Sequence, residues 1–158
     1  MSGGEEGHCR KTESIFRYFW NAAQTKNWKW LVVTDDDTML SVSKVLDLIR
    51  CYDRRAETEP VAIGERYGRG YAISQFPGFD FLAGGSGMIF NVRSVRRIVR
   101  QCRCPNVNFG DDRPDDIHLG ACLDDLKIPI IHSNRLHQVT YFSKNNFLWN
   151  YIKRYNIS

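Results

Sequence analysis

The chain has 158 residues, with 22 basic against 18 acidic side chains and a net charge of +4. That length fits one domain, and a hydrophobic share of 42% excludes wholesale disorder, collagen-like repeats and low-complexity architecture. The mild basicity permits an anionic ligand without demanding nucleic acid, and no run of about 18 apolar residues is present to cross a membrane.

Residues 1–11 read as a flexible polar lead-in that lacks the apolar stretch of a signal peptide. From Thr12 to Gln24, Ile15, Phe16, Phe19, Trp20 and Ala23 recur at helical spacing and predict a helix with one apolar face. Trp30-Leu31-Val32-Val33 is a short apolar run, the pattern of a strand covered on both faces. Asp35-Asp36-Asp37 follows at once. A second helical stripe then runs over Val42, Val45, Leu46 and Ile49, with Thr38 or Ser41 as its N-cap. Val61-Ala62-Ile63 predicts another strand, and residues 66–77, rich in Gly and Tyr, predict a loop. Met88-Ile89-Phe90 predicts a strand, followed by a helix capped by Ser94 with Val95, Ile98 and Val99 inside. Residues 104–114 predict a loop. Asp115 to Leu126 predicts a helix opened by Pro114 and two acids. Ile128-Pro129-Ile130-Ile131 predicts a last strand, its proline at a sheet edge or at the strand start. The tail from Tyr141 is aromatic and basic without a period. Helices alternating with short apolar strands argue an α/β fold, here a single domain over residues 12–158.

Several groups of residues carry candidate chemistry. Three consecutive carboxylates at a strand end sit where open α/β sheets bind ligands, and they repel one another unless a cation compensates. They read either as a Mg2+ or Mn2+ site serving a phosphorylated substrate or as a solvated acidic turn before a helix. Asp115 and Asp116 offer a general base toward a hydroxyl, or dipole-favoured acids in a first helical turn. Gly84-Gly85-Ser86-Gly87 lets a ligand approach the backbone closely, or is a simple turn. It is neither a P-loop nor G-x-G-x-x-G. Arg93, Arg96, Arg97 and Arg100 share one helix face, read as a phosphate or nucleic-acid contact or, with more weight, as a solvated face. His132 and His137 follow the last strand as candidate ligands. Five cysteines make an odd count, either buried thiols or partners in an oxidising compartment.

Taken in order, these segments resemble one family. Trp30 to Asp37 is similar to the W-x-x-x-x-D-D-D segment of Fringe-like β-1,3-glycosyltransferases. Gly64-Glu65-Arg66-Tyr67-Gly68 resembles the branch that extends O-linked fucose with glucose. So do Gly84 to Met88, Cys102-Arg103-Cys104, Pro114-Asp115-Asp116 with Leu119-Gly120, and Leu136-His137-Gln138, while Gly7-His8-Cys9 fits the stretch ahead of the aspartates. The resemblance implies a GT-A fold, a UDP-sugar donor, a divalent metal (usually Mn2+) and inversion at the anomeric carbon. It implies a metal set of Asp37, Asp35 and His137, with Asp35 and Asp36 also assisting the nucleotide. Gly84, Gly85, Ser86 and Gly87 would line the donor-sugar pocket. Asp116, with Asp115 second, would be the base that activates the acceptor. The expected reaction is transfer of a sugar, glucose first, to the 3-hydroxyl of fucose on a protein such as a thrombospondin type 1 repeat or an EGF-like domain. The expected setting is the lumen of the endoplasmic reticulum or Golgi, with Cys104–Cys122 as a candidate disulfide.

Two departures from the family pattern stand out. The chain begins one helix before the aspartates, so it reads as the C-terminal portion of a GT-A domain without its N-terminal strands. Val139 and Ile152 stand where relatives carry histidines. These departures motivate a rival expectation, a non-catalytic relative that binds a glycan or protein. A nucleic-acid module resting on the arginine face ranks below both, and no nucleic-acid partner is expected.

Overall fold

The computed structural model of the chain describes residues 5–71, 78–104 and 114–137. A long helix, α1 (Glu5–Lys26), leads into β1 (Trp30–Val33), α2 (Val42–Arg50) and a single turn α3 (Asp53–Ala56). Then come β2 (Ala62–Gly64), β3 (Arg66–Arg69), β4 (Phe79–Leu82), a 3-10 turn at Gly84–Ser86 and β5 (Met88–Asn91). The chain continues through α4 (Val92–Gln101), α5 (Asp115–Asp125) and β6 (Ile130–His132).

The main sheet is mixed, in the order β1-β5-β2-β6. β5 runs antiparallel to β1 and β2, and β2 runs parallel to β6. Val33 and Gly64 both sit opposite Met88, and Gly64 sits opposite His132. The carboxyl ends of β1, β2 and β6 therefore share one edge with the start of β5. Strand periodicity divides the core between two faces. Ala62, Met88 and Phe90 point toward α1, α4 and α5, meeting Phe16, Phe19, Val95, Ile98, Leu119 and Leu123. Val61, Ile63 and Ile89 point the other way, onto Val45, Leu48 and Ile49 of α2. The α/β expectation holds as a mixed α/β sheet with helices on both faces.

Several local expectations differ from the structure. The first helix starts at Glu5 rather than Thr12, and the segment expected to be a flexible lead-in joins it, with Cys9 bonded to Cys104. β1 is an edge strand among the described residues and is only half-buried. Full coverage belongs to β2 and β5. Ser94 is not the cap of α4. Asn91 is, because its Oδ1 accepts from Ser94 N at 3.0 Å. Part of the expected loop is strand: β3 pairs with β4 as a second, two-stranded sheet, an arrangement that depends on a partner distant in sequence. Ser41 is the N-cap of α2, and Pro129 directly precedes β6, at a sheet edge. Residues 72–77 and 105–113, and everything from 138 onward including Val139 and Ile152, lie outside the described residues.

The disulfides are Cys9–Cys104 and Cys102–Cys122, not Cys104–Cys122, and Cys51 is free and exposed. The backbone turns extended at Cys102, with φ −76° and ψ 138°. Cys102 and Cys104, two residues apart, reach different partners. One meets Cys122 on α5 and the other meets Cys9 on α1.

Candidate active site

The shared sheet edge gathers most of the residues singled out in the sequence. β1 ends in the exposed turn Asp35-Asp36-Asp37, closed by a hydrogen bond from Thr38 N to Asp35 O at 3.2 Å. Thr38 Oγ1 donates to Gly85 O at 3.3 Å, which ties the aspartate turn to the glycine segment. Gly84–Ser86 forms one 3-10 turn, braced by Ser86 Oγ donating to Ala83 O at 2.8 Å. Gly87 has φ +88°, a conformation that side chains disfavour, and a Cβ there would stand 3.4 Å from Thr34 Cγ2.

Asp115 and Asp116 open α5 side by side but face different neighbours. Asp115 Oδ2 accepts from Thr12 Oγ1 of α1 at 2.6 Å. Asp116 Oδ2 accepts from Gly84 N at 3.4 Å, at the glycine turn. Its Oδ1 is buried and has no hydrogen-bond partner among the described residues. Burial pushes the Asp116 carboxyl above the usual carboxylate range, against the opposing pull of the Gly84 and Ile117 amides. A carboxylate with a buried, unpaired oxygen carries an unmet desolvation cost, which is the cause of its raised pKa.

A second pair sits at the ends of β2 and β6. Glu65, 6% exposed, lies 2.5 Å from His137 Nδ1 through its Oε1. Tyr67 beside it has its hydroxyl held above the usual value, by burial first and then by the charge and hydrogen bond of Glu65. His132 is turned away from ligand duty at one nitrogen, since its Nδ1 accepts from Arg66 N at 3.2 Å. On α4, Arg93, Arg96, Arg97 and Arg100 are exposed and Val95 is buried, the arrangement of a solvated face.

A model of the Fringe-like family matches residues 4–148. The chain belongs to the Fringe-like family. It is similar to a human protein named beta-1,3-glucosyltransferase, with 43% identity over 135 residues that cover 85% of this chain and 25% of that protein. The mouse protein of the same name is 41% identical over the same shares. The chain thus spans a quarter of the length of these curated relatives.

In this Fringe-like chain the aspartate turn, the glycine turn and Asp116 are joined by hydrogen bonds through Thr38 and Gly84. Asp115 is directed to α1 instead. The carboxylates of Asp35, Asp36 and Asp37 form no hydrogen bond or ion pair with a described residue, and an all-oxygen donor set of this kind suits a hard divalent cation. Among the described residues, no group of three His, Cys, Asp or Glu side chains is assembled to hold a metal ion. His137 has Nδ1 engaged by Glu65. Glu65 and Thr12 are the site residues that sequence reasoning missed. Glu65 had a signal, a lone acid directly after a β-branched run, but it was legible only as part of the G-E-R-Y-G family mark. Thr12 had none. No helix among the described residues is long and apolar enough to cross a membrane.

Proposed function

We propose that this chain carries the catalytic edge of a GT-A-type inverting β-1,3-glucosyltransferase, which moves glucose from UDP-glucose to the 3-hydroxyl of protein-linked fucose. The observation that supports it best is Asp116: half-buried, raised in pKa and hydrogen-bonded to the glycine turn that Thr38 links to the aspartates. The names of the human and mouse relatives point to the donor sugar and the linkage.

In this reading Asp116 accepts the proton of the acceptor hydroxyl, as the hydroxyl oxygen attacks the anomeric carbon from the face opposite UDP. A raised pKa makes the carboxylate a stronger base. Gly84, Gly85, Ser86 and Gly87 bring backbone close to the donor sugar, and Asp36 contacts the nucleotide. Asp37, with Asp35 beside it, would hold a Mn2+ ion, whose charge would offset that of the diphosphate leaving group. Asp115 holds α5 against α1 through Thr12, which keeps Asp116 facing the glycine turn. Two disulfides fit the lumen of the endoplasmic reticulum or Golgi, where a fucosylated thrombospondin type 1 repeat or EGF-like domain would be met.

The test is calorimetric titration of UDP with Mn2+ and then with EDTA, followed by transfer from UDP-glucose to a fucosylated repeat. Metal-dependent UDP binding that disappears in Asp37→Ala, with measurable transfer, bears the proposal out. Metal-independent binding without transfer favours the rival reading, a non-catalytic glycan-binding relative, which the lack of a three-ligand group among the described residues supports.

A further inference from the structure

α4 carries Arg93, Arg96, Arg97 and Arg100 and no acidic residue. Their spacing places them on one helix face about 10 Å long. The structure adds what spacing alone lacked. The face is one wall of a groove whose opposite wall is Thr58 and Pro60. That opposite wall is pinned from beneath. The buried Asn91 donates through Nδ2 to Ala56 O at 3.1 Å and Glu59 O at 2.7 Å, while Ser94 Oγ donates to Val61 O at 2.9 Å. The groove is therefore formed before any ligand arrives, which lowers the ordering cost of binding. Arg97 gives one guanidinium arm to Leu126 O at 3.3 Å. No acidic residue among the described ones lines the groove, so the cationic face is left without an internal counter-charge.

We propose that this groove binds a linear sulfated glycan. A folded protein partner needs an apolar centre to its interface, and the described lining offers only Pro60. Single-stranded nucleic acid needs aromatic platforms, and none lines the groove. Cys9–Cys104 and Cys102–Cys122 mark an oxidising compartment, where sulfated polysaccharides are made and exported and duplex nucleic acid is not met. Sulfate groups accept the guanidinium fork in two parallel hydrogen bonds, as other tetrahedral oxyanions do. The site is separate from sugar transfer, because α4 leaves β5 at the end remote from the glycine turn.

The test is fluorescence anisotropy of a labelled heparin octasaccharide titrated with the 158-residue chain across a salt series. Arg96→Gln/Arg100→Gln is compared with Arg69→Gln/Arg135→Gln, which removes equal charge outside the groove. All four arginines are exposed, so neither variant threatens the core. The groove variant is expected to weaken binding at least about tenfold at 0.15 M salt and to flatten the log K against log salt slope by about two. The control variant is expected to change affinity less than about threefold. A desulfated octasaccharide is expected not to bind. Equal losses in the two variants would reduce the effect to net charge and overturn the proposal. So would equal affinity for polyglutamate or duplex DNA, or no binding by the unaltered chain.

Discussion

Asp116 is where burial and chemistry act on the same atom. Its folded-state pKa lies above its unfolded value because the carboxyl is desolvated. Folding therefore favours the protonated acid, and stability falls as pH rises through the raised pKa. Asp116→Asn removes that cost. It should abolish transfer, a loss of about 10²–10⁴ typical of a missing general base, while the melting temperature at neutral pH stays equal or rises. Parallel thermal melts and transfer assays check this, and a large drop in melting temperature would assign Asp116 to the core instead. The acid limb of the pH–rate profile should lie above the ordinary aspartate range, because a proton on Asp116 removes the base. In the sequence only the family resemblance ranked Asp116 ahead of Asp115. Adjacent helical positions point about 100° apart, and only the fold shows that one side chain reaches Thr12 and the other Gly84. Asp35 to Asp37 stood out as a run of like charges at a strand end, but the residues alone read equally as a cation site or as a solvated acidic turn.

Elements divide by how local their causes are. The helices and the apolar strands could be read because their periodicity lies within the segment itself. The β3–β4 hairpin could not, since Tyr67 and Phe81 stack at 6.0 Å only once Arg66 has been brought opposite Leu82. The cap of α4 was misread because Asn91 ends an apolar strand and is itself buried, while also holding Ala56 and Glu59. α5 rides on β4 at one point of very close approach. A Cβ on Gly120 would stand 2.3 Å from Phe81 Cβ and 2.8 Å from its Cα. Gly120→Ala must push the helix off the hairpin and is expected to cost about 1–3 kcal/mol or more. It should also weaken transfer, because the same helix carries Asp116. Denaturant unfolding beside the activity assay checks both, and unchanged stability would mean that the contact yields at little cost.

Across the whole molecule, helices cover both faces of the main sheet and the candidate chemistry sits on its open edge. α1, α4 and α5 form the face behind Asp116, and both disulfides lie within that layer. The cysteine count in the sequence was silent on pairing, because connectivity depends on three helices meeting. Cys9–Cys104 spans 95 residues, and its removal is expected to cost about 2–5 kcal/mol. Cys9→Ser/Cys104→Ser melted beside the unaltered chain measures that cost. The same crosslink has a consequence during biosynthesis. At about 5–20 residues per second, Cys104 leaves the ribosome roughly 5–20 s after Cys9, from which it is separated by 95 residues. Cys51 emerges in that interval and ends unpaired at the surface. A non-native Cys9–Cys51 bond can therefore form before Cys104 is available, and only thiol–disulfide exchange would then convert it to the native one. Oxidative refolding of Cys51→Ser should proceed faster and with fewer misbridged species than that of the unaltered chain, and equal rates would mean that Cys51 does not compete for Cys9.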